Sequence, residues 1–524
     1  MHISAGKTVA KTLQVRFSKY LWAVLTALVI LVGELWRLGA ANPWWDEGWT
    51  LMVARTWVER GFYGRLLNGE LAPPGLEAAF PTTRLVALSF RWFGVGLWQG
   101  RLPIAICMLV ALVLLLWLVT QLYSRPVAQV MLVLLLLTPM HRQLHPLLVG
   151  RQVLAEPVMM LCIMAGYCCL WVAFKRSYWF ILGTSFAWGV ALCTKAQLLP
   201  FWAVAIASMG VAGLLYRRKD YFALAIASGI GSLICWQLLI WLQSWFLVGH
   251  TLPKAQLTDL YYVTAFVFVP QVRVNTLYRV ALFALPTIAG LAWAIRVILR
   301  ERTHHQHIIF VHVIEWSLIA LTGSWLAWYA LLSSGDERYL FPAFFLGSMF
   351  VAHMFVQWYS GANLAGIIDS AAGVFIGKGF SRFALRSIAL TCFAAMTVPV
   401  TMITIYKEVT YQFNTSAVEV ADFFNRQPEK EGLIETYNSE IMFFLDRPYH
   451  FPPDQTHIEL IKRIFGGDFE QPIDYKPLAY NPEYIIVGGL PADWGIYSSV
   501  IPGSAFYLYK TIGIYSIYKR ASSL

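Results

Sequence analysis

The stretch Asn42–Thr50, NPWWDEGWT, sets two adjacent carboxylates, Asp46 and Glu47, among three tryptophans just past the first long apolar run. A carboxylate at such a boundary, partly removed from water, is placed to act as a general base. Trp45 and its neighbours are the ring type that settles at headgroup depth and fixes how far the chain emerges. Three later stretches carry related chemistry. MHRQLHPLLVGRQVLAEPVMM holds His141, Arg142, His145, Arg151 and Glu156; GVALCTKAQLLP holds Lys195; GDERYLFPAFF holds Arg338 and Tyr339.

Each has an ordinary reading and a chemical one. Glu156 stands before Pro157 in what reads as a first helical turn, where an acid complements the helix dipole; it also serves as a second acid facing Asp46. Lys195 lies between two apolar runs, where a lysine snorkels to the surface or holds a phosphate as a point charge. Arg338 can pair with Asp336 or Glu337, or grip an anion with its two-pronged guanidinium. Arg151 can pair with Glu156 or with the same anion.

These residues need elements to position them, and the composition says which kind. Hydrophobic residues make up 58% of the 524 and charged residues 13%, about half the charge of a soluble chain. Apolar runs recur from about residue 21 to residue 406, and their lengths predict about eleven membrane-spanning helices. The first run follows a basic segment, lacks a small-residue cleavage site and reads as a retained span. Basic clusters such as Lys175 with Arg176, and Arg217 with Arg218 and Lys219, alternate between spans and fall on one side. By the positive-inside rule that side is cytoplasmic, with the N-terminus. The net charge of +11 is thereby a topology signal rather than a nucleic-acid footprint. All seven cysteines sit in apolar runs, so neither a disulfide framework nor a zinc spacing is visible.

This topology divides the chain into a membrane domain, 1–408, and an extracytoplasmic α/β domain, 409–524. The first outer loop, 40–101, contains two amphipathic helices, EGWTLMVARTWVERGF and TTRLVALSFRWFG, with a turn at Ala72-Pro73-Pro74-Gly75 between them. In the tail, SAVEVADFFNRQ reads as a helix, and GLIETYN, EYIIVGG, AFYLYK and IYSIYKR read as strands. THHQH, with His304, His305 and His307, falls on the cytoplasmic side and is set aside as a metal site. Glu315 reads as a paired or snorkelling acid within its span.

In this order the motifs resemble the GT-C superfamily of polyprenyl-phosphate-sugar-dependent glycosyltransferases. The chain is similar to bacterial relatives of protein mannosyltransferases and of aminoarabinose transferase. The resemblance rests on DE after span one, a first loop ending FGVGLWQGRLP, then RQVLAEP, TK and RYLFP. It implies transfer of a sugar from a polyprenyl phosphate to a lipid, glycan or protein acceptor, with inversion, at the outer face of a plasma (inner) membrane. Asp46 would be the base, with Glu47 beside it, and Glu156 would position the acceptor or balance charge. Lys195, Arg338 and Arg151, with Tyr339, would neutralise the leaving phosphate; His145 and Trp45 would line the acceptor side. The lysine that aminoarabinose transferases carry before the paired prolines is replaced by Ala72, with Arg84 as the available substitute. No cofactor is expected; a divalent metal is not indicated, though Asp46, Glu47 and Glu156 would hold one if they converged. The rival readings are a secondary transporter or lipid-sugar flippase, and a membrane receptor whose tail does the work. Transporters place ionisable groups near the bilayer midplane in repeated or broken helices; here they gather at span ends.

Overall fold

The computed structural model describes residues 27–73, 78–247, 267–301, 306–359, 366–367, 369–370, 372, 381–410, 414–428, 432–466, 473, 475–501, 503 and 505–521. His304, His305 and the basic residues before residue 27 lie outside that set, as do Pro74 and Gly75.

Among the described residues, eight helices are long and apolar enough to cross a membrane, and two shorter apolar helices, Arg125–Leu137 and Phe180–Thr194, pack among them. The expectation of about eleven spans thus meets eight of full length. The 13 residues of Arg125–Leu137 rise only about 20 Å against a ~30 Å hydrocarbon core. The first helix is described from residue 27 to 35. The chain is a multi-pass membrane protein.

The elements used below are α1, residues 27–35; α2, Trp45–Arg60; α3, Phe80–Phe93; α4, Leu97–Leu122; α5, Ala155–Lys175; α6, Phe180–Thr194; α7, Leu199–Leu215; and α8, Phe341–Trp358. Prolines open several of them: Pro200 and Pro342 stand in first turns, where the missing N–H costs nothing. The bundle core is filled by Leu, Met, Phe and Trp at the helix contacts. Trp188 of α6 lies over Gly166 of α5, where any side chain would strike its indole ring.

The C-terminal part is a small α/β domain. Its strands are β1, Ile434–Thr436; β2, Tyr449–His450; β3, Tyr484–Val487; β4, Phe506–Ile512; and β5, Tyr515–Arg520. Their spatial order is β2-β1-β3-β5-β4, with β1 parallel to both neighbours and β5 antiparallel to β3 and β4. The four strands and the helix read from the tail sequence all form. β2 and the helix Asp454–Gly466 were not foreseen, the first because two residues carry no period.

Helix α2 departs from the surface helix its sequence suggests. Nine of its sixteen residues are buried, because α3 covers one side and the C-terminal domain the other. Gly48 allows this: a Cβ there would collide with the Ser439 main chain. The core of the C-terminal domain accordingly takes in Met52 of α2, with Trp45 and Trp49 packed against it. α3 keeps the expected interfacial character, with Trp92 and Phe93 exposed.

Candidate active site

Four ionisable side chains from four separate stretches meet where α2, α5, α6 and α8 begin or end. Asp46 is in the first turn of α2, and Glu156 in the first turn of α5. Lys195 follows the last residue of α6 in an extended conformation, φ −149° and ψ 97°, before a 3-10 turn leads into α7. This sharp reversal turns the ammonium inward. Arg338 sits in the 3-10 turn Glu337–Leu340, whose first N–H groups are capped by Asp336: Oδ1 accepts from the Arg338 N–H at 2.9 Å.

Lys195 donates to Glu156 Oε1 at 2.5 Å, and the Arg338 guanidinium lies 3.5 Å from the same oxygen. Arg338 also donates to Asp46 Oδ2. Glu156 and Lys195 are 2% and 17% exposed while Asp46 is 36% exposed. The array therefore runs from a closed acid–base pair, through Arg338, to one carboxylate open to water. Tyr339 supplies the floor. Its ring lies 4.9 Å from the Lys195 ammonium and 5.3 Å from the Arg338 guanidinium, the distance at which a ring face attracts a cation. Trp325 Nε1 donates to the Tyr339 carbonyl at 2.7 Å and fixes its backbone. Burial lowers the Lys195 pKa, and the Glu156 charge opposes that shift.

Glu47 does not join Asp46. Successive residues on a helix point about 100° apart, and Glu47 is directed into the protein, where its exposure is zero. Arg101 grips it with two prongs, Nε to Oε1 at 2.7 Å and Nη2 to Oε2 at 2.8 Å. The N–H groups of Trp44 and Val153 donate to it at 2.9 and 3.0 Å. With its acceptor positions filled, Glu47 is a cap and an anchor rather than a second acid of the array. Arg101 further donates to the carbonyls of Leu38, Ala41 and Asn42, so it pins the start of the outer segment to α4.

Arg151, Arg84 and His145 are also kept from the array. Arg151 donates to the carbonyls of Gly33 and Trp36, tying α1 to the second outer loop. Arg84 lies over the Trp57 ring at 4.9 Å, on α3. His145 is buried, its Nε2 lies 3.1 Å from the Leu136 carbonyl, and burial takes its pKa down to about 4. Trp45 faces the C-terminal domain. It donates to the Tyr437 carbonyl at 2.7 Å and stacks on His457, with ring centroids 5.5 Å apart and planes 10° from parallel.

His457 and Arg101 are residues that sequence reasoning missed. Arg101 stands inside the quoted FGVGLWQGRLP, an arginine at the mouth of an apolar run, and that was a usable signal. His457 had none: burial lowers its pKa while Asp46 and Asp454 oppose the shift, a relation between residues far apart in the chain. Among the described residues, no group of three or more His, Cys, Asp or Glu side chains forms a metal-site cluster.

No protein-family model matches the chain, and no curated protein matches it by sequence. Solved structures do match in fold. ArnT from Cupriavidus metallidurans bound to undecaprenyl phosphate aligns with a TM-score of 0.63 at 12% identity, over 96% of this chain and 98% of that one. An Archaeoglobus fulgidus oligosaccharyltransferase tethered to an acceptor peptide aligns with a TM-score of 0.51 at 11% identity, over 95% of this chain and 73% of that one. The archaeal oligosaccharyltransferase AglB from the same organism, in complex with an inhibitory peptide and a dolichol phosphate, gives 0.50 at 12%, over 97% and 75%. The chain shares the fold of these proteins, in line with the motif resemblance.

Proposed function

We propose that this chain is an inverting glycosyltransferase that moves a sugar from a polyprenyl phosphate to a hydroxyl acceptor at the outer membrane surface. The observation that carries the reading is the array itself: one carboxylate open to water, coupled through Arg338 to a buried Glu156–Lys195 pair at helix ends. Its fold is shared with a protein bound to undecaprenyl phosphate. An outward-facing site agrees with the helix that carries Glu156, since Glu156 opens α5 and Lys175 closes it at the opposite end.

In this reading the acceptor hydroxyl attacks the anomeric carbon from the face opposite the phosphate. The new C–O bond forms as the bond to the phosphate oxygen breaks, and its electron pair leaves with the polyprenyl phosphate. The hydroxyl proton passes to Asp46. Arg338 and Lys195 face the phosphate, whose charge grows in the transition state, and stabilise it where water is largely excluded. Glu156 is a positioning residue: it holds both cations in place and sets the net charge of the pocket. The donor phosphate competes with Asp46 for Arg338, so donor binding frees the base at the moment it is needed. Asp46, Glu156, Lys195, Arg338 and Tyr339 are the residues this proposal assigns to the site; Glu47 supports it from behind.

The test uses the full chain in lipid nanodiscs with a panel of polyprenyl-phosphate sugars and a panel of hydroxyl acceptors (methyl glycosides, glycolipids and serine peptides), measuring released polyprenyl phosphate. Wild type releases it, and Asp46→Asn lowers the rate by at least about 100-fold. The product anomer, read by NMR, is inverted relative to the donor. Equal release by wild type and Asp46→Asn removes Asp46 as base; a retained anomer removes the single displacement.

A further inference from the structure

A cavity of about 310 Å³ lies between the first outer segment and the C-terminal sheet. It has the volume of a small-ligand site. The sheet topology explains its position. From β1 the chain goes first to β2 on one side and later to β3 on the other, so the switch point lies between β1 and β3. Ligands of open α/β sheets favour the crevice outside the carboxyl ends of strands at such a point. Glu440, just past β1, and Gly489 and Leu490, just past β3, line the cavity there. Asn438 bridges the two strand ends, its Nδ2 donating to the Gly488 carbonyl at 2.8 Å. The membrane domain supplies the opposite wall through Trp44, Arg142 and Glu408.

The chemistry of the lining selects the ligand. Three arginines, Arg101, Arg142 and Arg151, face three glutamates, Glu47, Glu408 and Glu440. The wall is balanced in charge, which favours a neutral polar guest. Trp44, Trp45 and Tyr515 contribute aromatic surface. Glu440 is 6% exposed, and its Oε1 accepts from Asn438 Nδ2 and from the Tyr515 hydroxyl, each at 3.0 Å. Its Oε2 is buried with no hydrogen-bond partner. Such a carboxyl oxygen costs free energy until a donor reaches it.

We infer that this cavity binds a neutral saccharide, the hydroxyl-rich part of the acceptor, with Glu440 taking its hydroxyl groups and the aromatic rings its C–H faces. Trp45 lines the cavity and Asp46, the next residue, does not, so the cavity and the array lie side by side at the first turn of α2. The role as acceptor rests on the transferase reading, but the binding is measured without any transfer.

The experiment is saturation-transfer NMR on the full chain in nanodiscs. The probes are the methyl glycosides of glucose, galactose, mannose and N-acetylglucosamine, with glucosamine and galacturonate as charged comparators. At least one neutral glycoside binds wild type, and it binds better than either comparator. Leu490→Trp, which fills the cavity, and Glu440→Gln, which keeps its shape, weaken that binding at least about tenfold. Ile514→Trp narrows the same space from the β4–β5 turn, so misfolding of one filling variant leaves the other to decide. Absence of binding by every neutral glycoside, preference for a charged one, or full binding by a folded filling variant overturns the inference. Glycoside binding without donor cleavage would sink the transferase reading and leave the site standing.

Discussion

Asp46 and Arg338, 292 residues apart in the chain, form the ion pair that links the open carboxylate of α2 to the buried charges behind it. In the proposed mechanism Arg338 has two tasks, holding the Asp46 carboxylate and, once the donor is bound, its phosphate. Arg338→Lys keeps the charge and loses the fork, so KM for the donor rises and kcat/KM falls by about 10–100-fold. Arg338→Met falls further, because Asp46 and Glu156 then face each other without a cation between them. Steady-state kinetics at several donor concentrations read both effects; an unaffected Arg338→Met would remove the arginine from the mechanism.

Glu156 and Lys195 act as a unit. Truncating Glu156 strips Lys195 of its carboxylate, and truncating Lys195 leaves Glu156 with Arg338 alone at 3.5 Å; losing a buried partner costs about 3–5 kcal/mol, and less where a second one remains. Lys195→Met and Glu156→Gln each lower the unfolding midpoint, while the double variant regains most of the loss in stability and none of the activity. A double-mutant cycle on thermal unfolding and on donor cleavage measures both. Additive losses of stability would mean the two groups are not coupled.

Glu47 and Arg101 answer to stability first. Glu47→Gln and Arg101→Met each unmake the two-pronged contact at zero exposure on the glutamate side and destabilise by about 3–5 kcal/mol. Lower yield and lower midpoint are expected, with surviving folded protein retaining cleavage activity. Selective loss of kcat with an unchanged midpoint would return Glu47 to the chemistry.

His145 makes the fold sensitive to acid. Burial takes its pKa from 6.5 to about 4, so the native state resists a proton that the unfolded chain accepts. Stability from this residue is complete above pH 6.5 and drains as pH falls toward 4, by up to about 3 kcal/mol. Unfolding midpoints across that window decline in wild type, and the decline is shallower in His145→Gln. Identical slopes would assign the acid sensitivity elsewhere.

Donor cleavage is expected to withstand EDTA. The positions where a divalent ion would bridge Asp46 and Glu156 hold a guanidinium and an ammonium, and Glu47 is turned away. A loss of activity on chelation that added magnesium or manganese restores would contradict this arrangement.

Much of the molecule was legible in local patterns. Apolar runs marked the bundle, and short β-rich stretches marked Ile434–Thr436, Tyr484–Val487 and the final hairpin. Asp46, Glu156, Lys195 and Arg338 stood out because they fall at the ends of apolar runs on the side opposite the basic clusters. What local patterns lacked was direction. Asp46 and Glu47 look equivalent as neighbours, yet one helical step sends one toward Arg338 and the other toward Arg101, 54 residues away.

The sequence by itself determined a multi-pass helical bundle with a small α/β tail and a set of charged residues at helix ends, because hydrophobicity and period are local properties of the chain. Only the tertiary structure decided which charges meet. Arg151, Arg84 and Glu47 carry suitable groups, but backbone carbonyls, a tryptophan ring and a buried arginine take them first. It also decided that the tail closes over α2, with His457 on Trp45 and Glu440 in a shared cavity. Those relations join residues hundreds of positions apart, and packing free energy, not any local pattern, sets them.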